Sequence, residues 1–152
     1  MTGERAAPGG LRLDLDTSTG LRFLSHSCLL LEDDDGDLLM DPWFFGTVFN
    51  GAWSLLAPPD LDRLDLTGVR HVWISHTHPD HFHLPTLRWV RSQVEGPLTA
   101  FVRRSSNPTL CRTMADLGFD VVELRPRHTH RVTEHLALTL FTHGEDSSVV
   151  ID

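Results

Sequence analysis

The chain has 152 residues, within the range of one domain able to bury a sizeable core, and its 21 acidic residues outnumber 13 basic ones, all of them Arg. The formal charge of -8 argues against DNA or RNA as the main partner, and two cysteines, Cys28 and Cys111, are too few for a disulfide framework and read as buried small apolar residues in a reducing compartment. No apolar run reaches membrane-spanning length and residues 1–10 lack the hydrophobic centre of a signal peptide, so the expected location is cytoplasmic.

Residues 1–10 read as a disordered leader and 11–152 as one α/β domain. Leu11, Leu13 and Leu15 alternate with Arg12 and Asp14 as a first strand, and Thr17-Ser18-Thr19-Gly20 turns the chain. Strands are predicted over 21–25 and 28–32, and the turn Asp33-Asp34-Asp35-Gly36 leads as a hairpin into a strand over 37–41. A long loop covers 42–59, followed by a strand over 70–75. Helices fit 84–94, where Leu84, Leu87, Val90 and Val94 share a face, and 108–117, with Asn107 as cap, Pro108 in the first turn and Gly118 as terminator. Further strands are predicted over 98–102, 121–124, 136–141 and 149–151, while the stretch 125–131 reads as an exposed loop.

The chemistry is concentrated after the apolar stretch His71-Val72-Trp73-Ile74. There the run Ser75-His76-Thr77-His78-Pro79-Asp80-His81-Phe82-His83 holds four imidazoles and one carboxylate, the ligand types that Zn²⁺ and non-haem iron accept. Alternate side chains of an extended segment point the same way, so His76 and His78 can reach one ion. The turn begun at Pro79 can return Asp80 and His81 towards a second position beside the first. The spacing suits two adjacent ions better than one, and His71 and His83 read as structural.

The motif H-x-H-x-D-H, here His76 to His81, resembles that of the metallo-β-lactamase-fold superfamily. With Leu39-Met40-Asp41-Pro42-Trp43-Phe44 and Phe49-Asn50-Gly51-Ala52-Trp53-Ser54-Leu55, the chain is similar to the branch containing the catalytic domain of CMP-N-acetylneuraminate hydroxylase. More distantly it resembles N-acylphosphatidylethanolamine phospholipase D and the ascorbate-6-phosphate lactonases. The resemblance implies an αβ/βα sandwich with one or two ions, Zn²⁺ or alternatively Fe²⁺ or Mn²⁺. By position, His76, His78 and a later histidine hold the first ion, and Asp80 and His81 the second. The later histidine belongs at a strand end, where the chain offers His143 ahead of His128, His130 and His135. The family's bridging aspartate and final histidine come from a second half of the fold. The chain is therefore expected to be an N-terminal half, completed by further chain or by a second copy.

Imidazole ligands need a partner for their second nitrogen, and Asp41 matches an acidic position near the family's metals, although an aspartate before Pro42 is equally a turn residue. His26 matches a family position facing the pocket, with a plain strand histidine as the competing reading. Glu145 and Asp146 could ligate or orient water beside His143, but read first as an acidic turn before the next strand. The loop aromatics Trp43, Phe44, Phe45, Phe49 and Trp53 either pack down on the sandwich or wall the pocket. The expected activity is hydrolysis of an ester, lactone or phosphodiester of a small molecule by a metal-activated water, with Asp80 as ligand and as the group orienting the water. The alternatives are O₂-dependent hydroxylation at non-haem iron, and a non-catalytic metal-binding remnant.

Overall fold

The computed structural model describes residues 12–14, 19–105 and 108–152, so the leader, Leu11, Leu15, Thr17, Ser18 and the Asn107 cap lie outside the described residues. In chain order, β1 (Arg12–Asp14), β2 (Gly20–Ser25), β3 (Cys28–Glu32) and β4 (Asp37–Met40) pair as an antiparallel meander. A small ribbon of β5 (Thr47–Val48) and β6 (Trp53–Ser54) follows within the stretch expected to be loop. Next come β7 (Val69–Ile74), α1 (Leu84–Gln93), β8 (Thr99–Arg103), α2 (Thr109–Asp116) and β9 (Asp120–Leu124). These three strands extend the sheet in parallel from β4, giving the order β1-β2-β3-β4-β7-β8-β9. Parallel neighbours need crossovers, and α1 and α2 supply them. A second sheet is built from β10 (Thr129–Arg131), β11 (Ala137–His143) and β12 (Asp146–Ile151), all antiparallel.

The period of two along each strand separates two cores. Leu39, Val72, Ile74, Ala100 and Val102 face the helices, where they meet Leu87, Val90, Val94 and Met114. Their neighbours Leu38, Met40, Trp73 and Phe101 face the second sheet and pack against Leu136, Leu138 and Leu140. Each fully buried aliphatic or aromatic side chain contributes about 1.5–3 kcal/mol. The turn into β4 depends on Gly36, whose φ of +130° and close approach to Arg70, 2.9 Å from a built Cβ to Arg70 Cβ, both favour a residue without a side chain.

Three expectations change. The stretch read as an exposed loop contains β10, because pairing with β11 recruits Thr129 to Arg131 regardless of their polarity. α2 begins at Thr109 with Pro108 at its cap position, since proline fixes φ but offers no capping side chain. β12 starts at Asp146, three residues before the apolar run Val149–Ile151 that marked it, because the tight turn at Gly144, φ +64°, lets the ladder begin with the His143–Asp146 pair. Cys28 is buried as expected, whereas Cys111 is only partly so.

Candidate metal centre

Side chains from neighbouring parallel strands converge at their C-terminal ends. β4 stops one residue before Asp41 and β7 one residue before Ser75, and the pairing of Met40 with Trp73 sets the two ends side by side. Asp41 adopts a left-handed backbone, φ +43°, with its N–H donating to the Trp73 carbonyl at 3.0 Å. Its carboxylate thereby meets the motif: Oδ1 accepts the Ser75 N–H at 2.8 Å, and Oδ2 accepts the Ser75 hydroxyl at 2.6 Å and lies 2.8 Å from His81 Nδ1. Engaging Nδ1 leaves His81 Nε2 for other work, the arrangement a metal-binding imidazole needs. His76 is held in the same way, with Ser75 Oγ 2.9 Å from Nδ1, so that its Nε2 faces His78 Nδ1 at 2.9 Å.

After Pro79 the chain makes one tight turn, in which the N–H groups of His81 and Phe82 both donate to the His78 carbonyl. That turn brings the His76 and His81 rings to 4.2 Å between centroids. His26 arrives from the two-residue β2–β3 hairpin turn, not from a strand, with φ +41°, and its Nε2 lies 2.9 Å from Asp80 Oδ2. Asp146, at the start of β12, places Oδ1 3.7 Å from His76 Nε2. The turn before it is fastened to the large sheet by the Ser147 hydroxyl, which donates to the Ser75 carbonyl, and by Arg103 Nη1, which donates to the Gly144 carbonyl at 2.6 Å.

Two donor groups result: His76, His78 and Asp146, and His26, Asp80 and His81, with the donor atoms within each group no more than 4.8 Å apart. The structure places His76 beside His78 and Asp80 beside His81, with Asp41 behind them. His143 ends β11 exposed, with Nε2 3.5 Å from Ser148 Oγ, and among the described residues it belongs to neither group. Its rivals are engaged elsewhere: His128 beside the Pro126 carbonyl, His130 accepting the Arg125 N–H, and His135 beside Asp35. An exposed third group, Asp35, Glu134 and His135, has nothing buried among its members. His83 accepts the Thr86 N–H through Nδ1 at the start of α1, which accounts for it structurally. Asp146, which the sequence offered as a ligand beside His143 but which read first as part of an acidic turn, stands beside His76 instead.

The protonation equilibria divide: His76 and Asp80 are shifted towards the forms that ligate, and His81 towards the protonated ring. Burial opposes charge on the His76 ring and neighbouring His81 adds to the effect, so its pKa falls below the ordinary 6.5. Burial also opposes charge on His81, but the hydrogen bond and charge of Asp41, with Asp80 and Asp146, carry its pKa above that value. For Asp80, burial disfavours the carboxylate, yet the hydrogen bond from His26 and the nearness of His81 bring its pKa below the usual range. A neutral His76 and an ionised Asp80 are the forms that ligate. Asp80 Oδ1 is also buried without a hydrogen-bond partner, an acceptor whose burial a bound cation on the same carboxylate would offset. The residues present therefore fit a divalent ion.

The aromatic loop divides. Trp43 and Phe44 are buried, at 1% and 0% exposure, while Phe49 and Trp53 remain exposed at 38% and 50% and stand beside the donor groups, Phe49 6.4 Å from the His78 ring and Trp53 6.2 Å from that of His26.

Residues 20–137 match a family model described as a beta-lactamase superfamily domain. The chain belongs to the beta-lactamase superfamily. Within that superfamily it is 34% identical to cytidine monophosphate-N-acetylneuraminic acid hydroxylase of Danio rerio over 89 residues, 58% of this chain and 15% of that protein. Among solved structures, CmlA, a diiron beta-hydroxylase from Streptomyces venezuelae, superposes with a TM-score of 0.67 at 22% identity, over 90% of this chain and 28% of CmlA. A possible metal-dependent hydrolase from Veillonella parvula superposes at 0.63 and 17% identity, over 90% of this chain and 59% of that one. These structural likenesses establish the metallo-β-lactamase-type sandwich, and the chain spans less than two thirds of each of these proteins. Among the described residues no helix is long and apolar enough to cross a membrane.

Proposed function

We propose that the two donor groups form a two-ion centre and that the protein uses it for O₂-dependent hydroxylation at non-haem iron. The observation that carries this reading is the donor set: with Asp146 beside His76 and His78, each group offers two imidazoles and one carboxylate, the combination that iron takes in oxygenases. The Danio rerio enzyme and CmlA are hydroxylases by name, which supports the same choice, while the Veillonella parvula protein is named a possible metal-dependent hydrolase. His76 Nε2, His78 Nδ1 and Asp146 would hold one ion, and Asp80, His81 Nε2 and His26 the other. A bound ion supplies redox chemistry with O₂ when it is iron, or Lewis acidity when it is zinc. Asp41 fixes the tautomer of His81, Ser75 orients His76, and Trp53 and Phe49 offer an apolar surface beside the donor groups. Hydroxylation also needs O₂ and electrons from a separate reductant.

Hydrolysis, the activity expected from the sequence, draws on the same residues and is favoured by one feature: the chemistry needs an ionised carboxylate beside the ion, which Asp80 supplies, and no reductant. Loading the chelated protein with Fe²⁺ or Zn²⁺ separates the two. Hydroxylation chemistry is expected to appear as ascorbate-driven O₂ consumption by the Fe²⁺ form, absent from the His76→Ala/His78→Ala variant. Zn²⁺-dependent hydrolysis of 4-nitrophenyl acetate that persists without oxygen, with no O₂ uptake by the Fe²⁺ form, would replace it by the hydrolase. Tight metal binding with neither activity would assign the centre a structural role.

A further inference from the structure

Beside the second donor group lies a cleft of about 330 Å³, lined by Phe23 on β2, His26 in the hairpin turn, and Ser54, Leu55, Leu56 and Ala57 after the ribbon. Its size is at the small end of the roughly 300–1,000 Å³ typical of small-molecule sites. Among the described residues His26 is the only titratable one in this lining, and no Arg, Asp or Glu contributes to it. Phe23 is 44% and Leu56 103% exposed, and Trp53, the residue before Ser54, is another of the large apolar side chains left in water. Isolated exposed apolar residues are ordinary; several gathered around one concavity mark a binding surface.

The position of the cleft gives it a role. His26 forms part of its wall while Nε2 of the same ring stands 2.9 Å from Asp80 Oδ2, so a group in the cleft is separated from the donor atoms by one imidazole. That imidazole is fixed from behind by the edge of Trp43, 5.3 Å away between ring centroids.

We infer that this cleft seats the uncharged hydrocarbon part of the substrate, an aryl ring or a short acyl chain, while the reacting bond reaches past His26 to the donor groups. This rests on the reading of those groups as the reaction centre. An anionic end, such as a phosphate or a sugar acid, finds no cation in this lining and would lose its hydration without a partner. An aryl or acyl group instead covers Phe23 and Leu56 and gains about 25 cal/mol for each Å² of apolar surface removed from water. Phe49 and Trp53, edge to face at 5.0 Å, extend the same surface at the rim.

The test uses binding to the chelated full chain, so its outcome is independent of whether the centre is catalytic. Acetophenone, an uncharged aryl probe, and phenyl phosphate, the same ring with an anionic end, are titrated while backbone amide resonances are followed by NMR. Acetophenone is expected to shift Phe23, His26 and residues 54–57 saturably, and phenyl phosphate to leave them in place. Phe23→Ala and Leu56→Asp are expected to weaken acetophenone binding roughly tenfold each. Both positions are exposed, and the amide spectrum of each variant reports directly that the fold is retained. The inference falls if acetophenone produces no saturable shift up to its solubility, if its shifts lie elsewhere, if phenyl phosphate saturates the same residues equally well, or if natively folded Leu56→Asp binds acetophenone as the parent does.

Discussion

Replacing Asp41 by Asn tests whether one buried carboxylate organises the metal centre. Asp41 is 5% exposed and accepts from the Ser75 N–H, from the Ser75 hydroxyl and from His81. Asn is nearly isosteric and tolerates the left-handed backbone, φ +43°, so neither packing nor strain confounds the change. Its oxygen can still accept the Ser75 N–H, but its amide presents donors to the other two groups. Losing two charge-assisted hydrogen bonds at roughly 1.5–3 kcal/mol each, with partial recovery by rotation of Ser75, gives an expected loss of about 3 kcal/mol in the metal-free protein. Urea unfolding reads that loss, which a domain of ordinary stability survives. The pH dependence follows from His81: its pKa is raised above 6.5, so the contribution of the pair is complete below the unfolded value and is lost as pH climbs through the higher folded one. The gap between parent and variant should therefore narrow as pH rises above the ordinary histidine value of about 6.5. Freed from its carboxylate, the His81 ring should also lose 10- to 100-fold in metal affinity, measured by Co²⁺ titration. A folded Asp41→Asn protein that binds Co²⁺ as tightly as the parent would refute this account of the site.

Two further outcomes are expected. Asp146→Asn should weaken the Co²⁺ site at His76 and His78 and alter its visible spectrum, while His143→Ala leaves both unchanged; the reverse result would return His143 to the ligand set. Leu138→Ala, at a position with 0% exposure between the two sheets, should cost about 2–5 kcal/mol in urea unfolding, and a loss below about 1 kcal/mol would mean that the two sheets are not packed through this side chain.

What the sequence disclosed was local. The strand before the motif, the Asp-Gly hairpin into β4 and the turn after Pro79 are each written in a few adjacent residues, and so is the pairing of His76 with His78. Asp41 was legible because it ends an apolar strand, although only the parallel alignment of β4 with β7 shows which groups it holds. For Asp146 the sequence offered a ligand role beside His143, behind the reading as an acidic turn, and gave no sign of His76 as its neighbour. Its approach to His76 depends on the fastening of Ser147 to the Ser75 carbonyl, across 72 residues of chain, and no local pattern encodes that contact. His143 carried the stronger local signal, an apolar strand closed by glycine, but the register that pairs it with Asp146 leaves the ring exposed. Likewise, composition could not separate Trp43 from Trp53: the Ser25 hydroxyl holds the Trp43 carbonyl at 2.6 Å, while the ribbon lifts Trp53 to the rim.

The centre is stitched together from distant parts of the chain: His26 reaches Asp80 across 54 residues, Asp41 reaches Ser75 across 34, and β12 reaches β7 across 72. An unfolded chain can offer an ion little more than the neighbouring side chains of His76, His78, Asp80 and His81, because closing the longer loops to His26, Asp41 and Asp146 costs entropy before any further group is gained. Metal capture at full affinity is thus a late event, following the docking of the second sheet, and the rate at which a refolding chain acquires that affinity times the final assembly step. The ion would then act on the finished fold by mass action, slowing its opening, and would leave the search for the topology almost untouched.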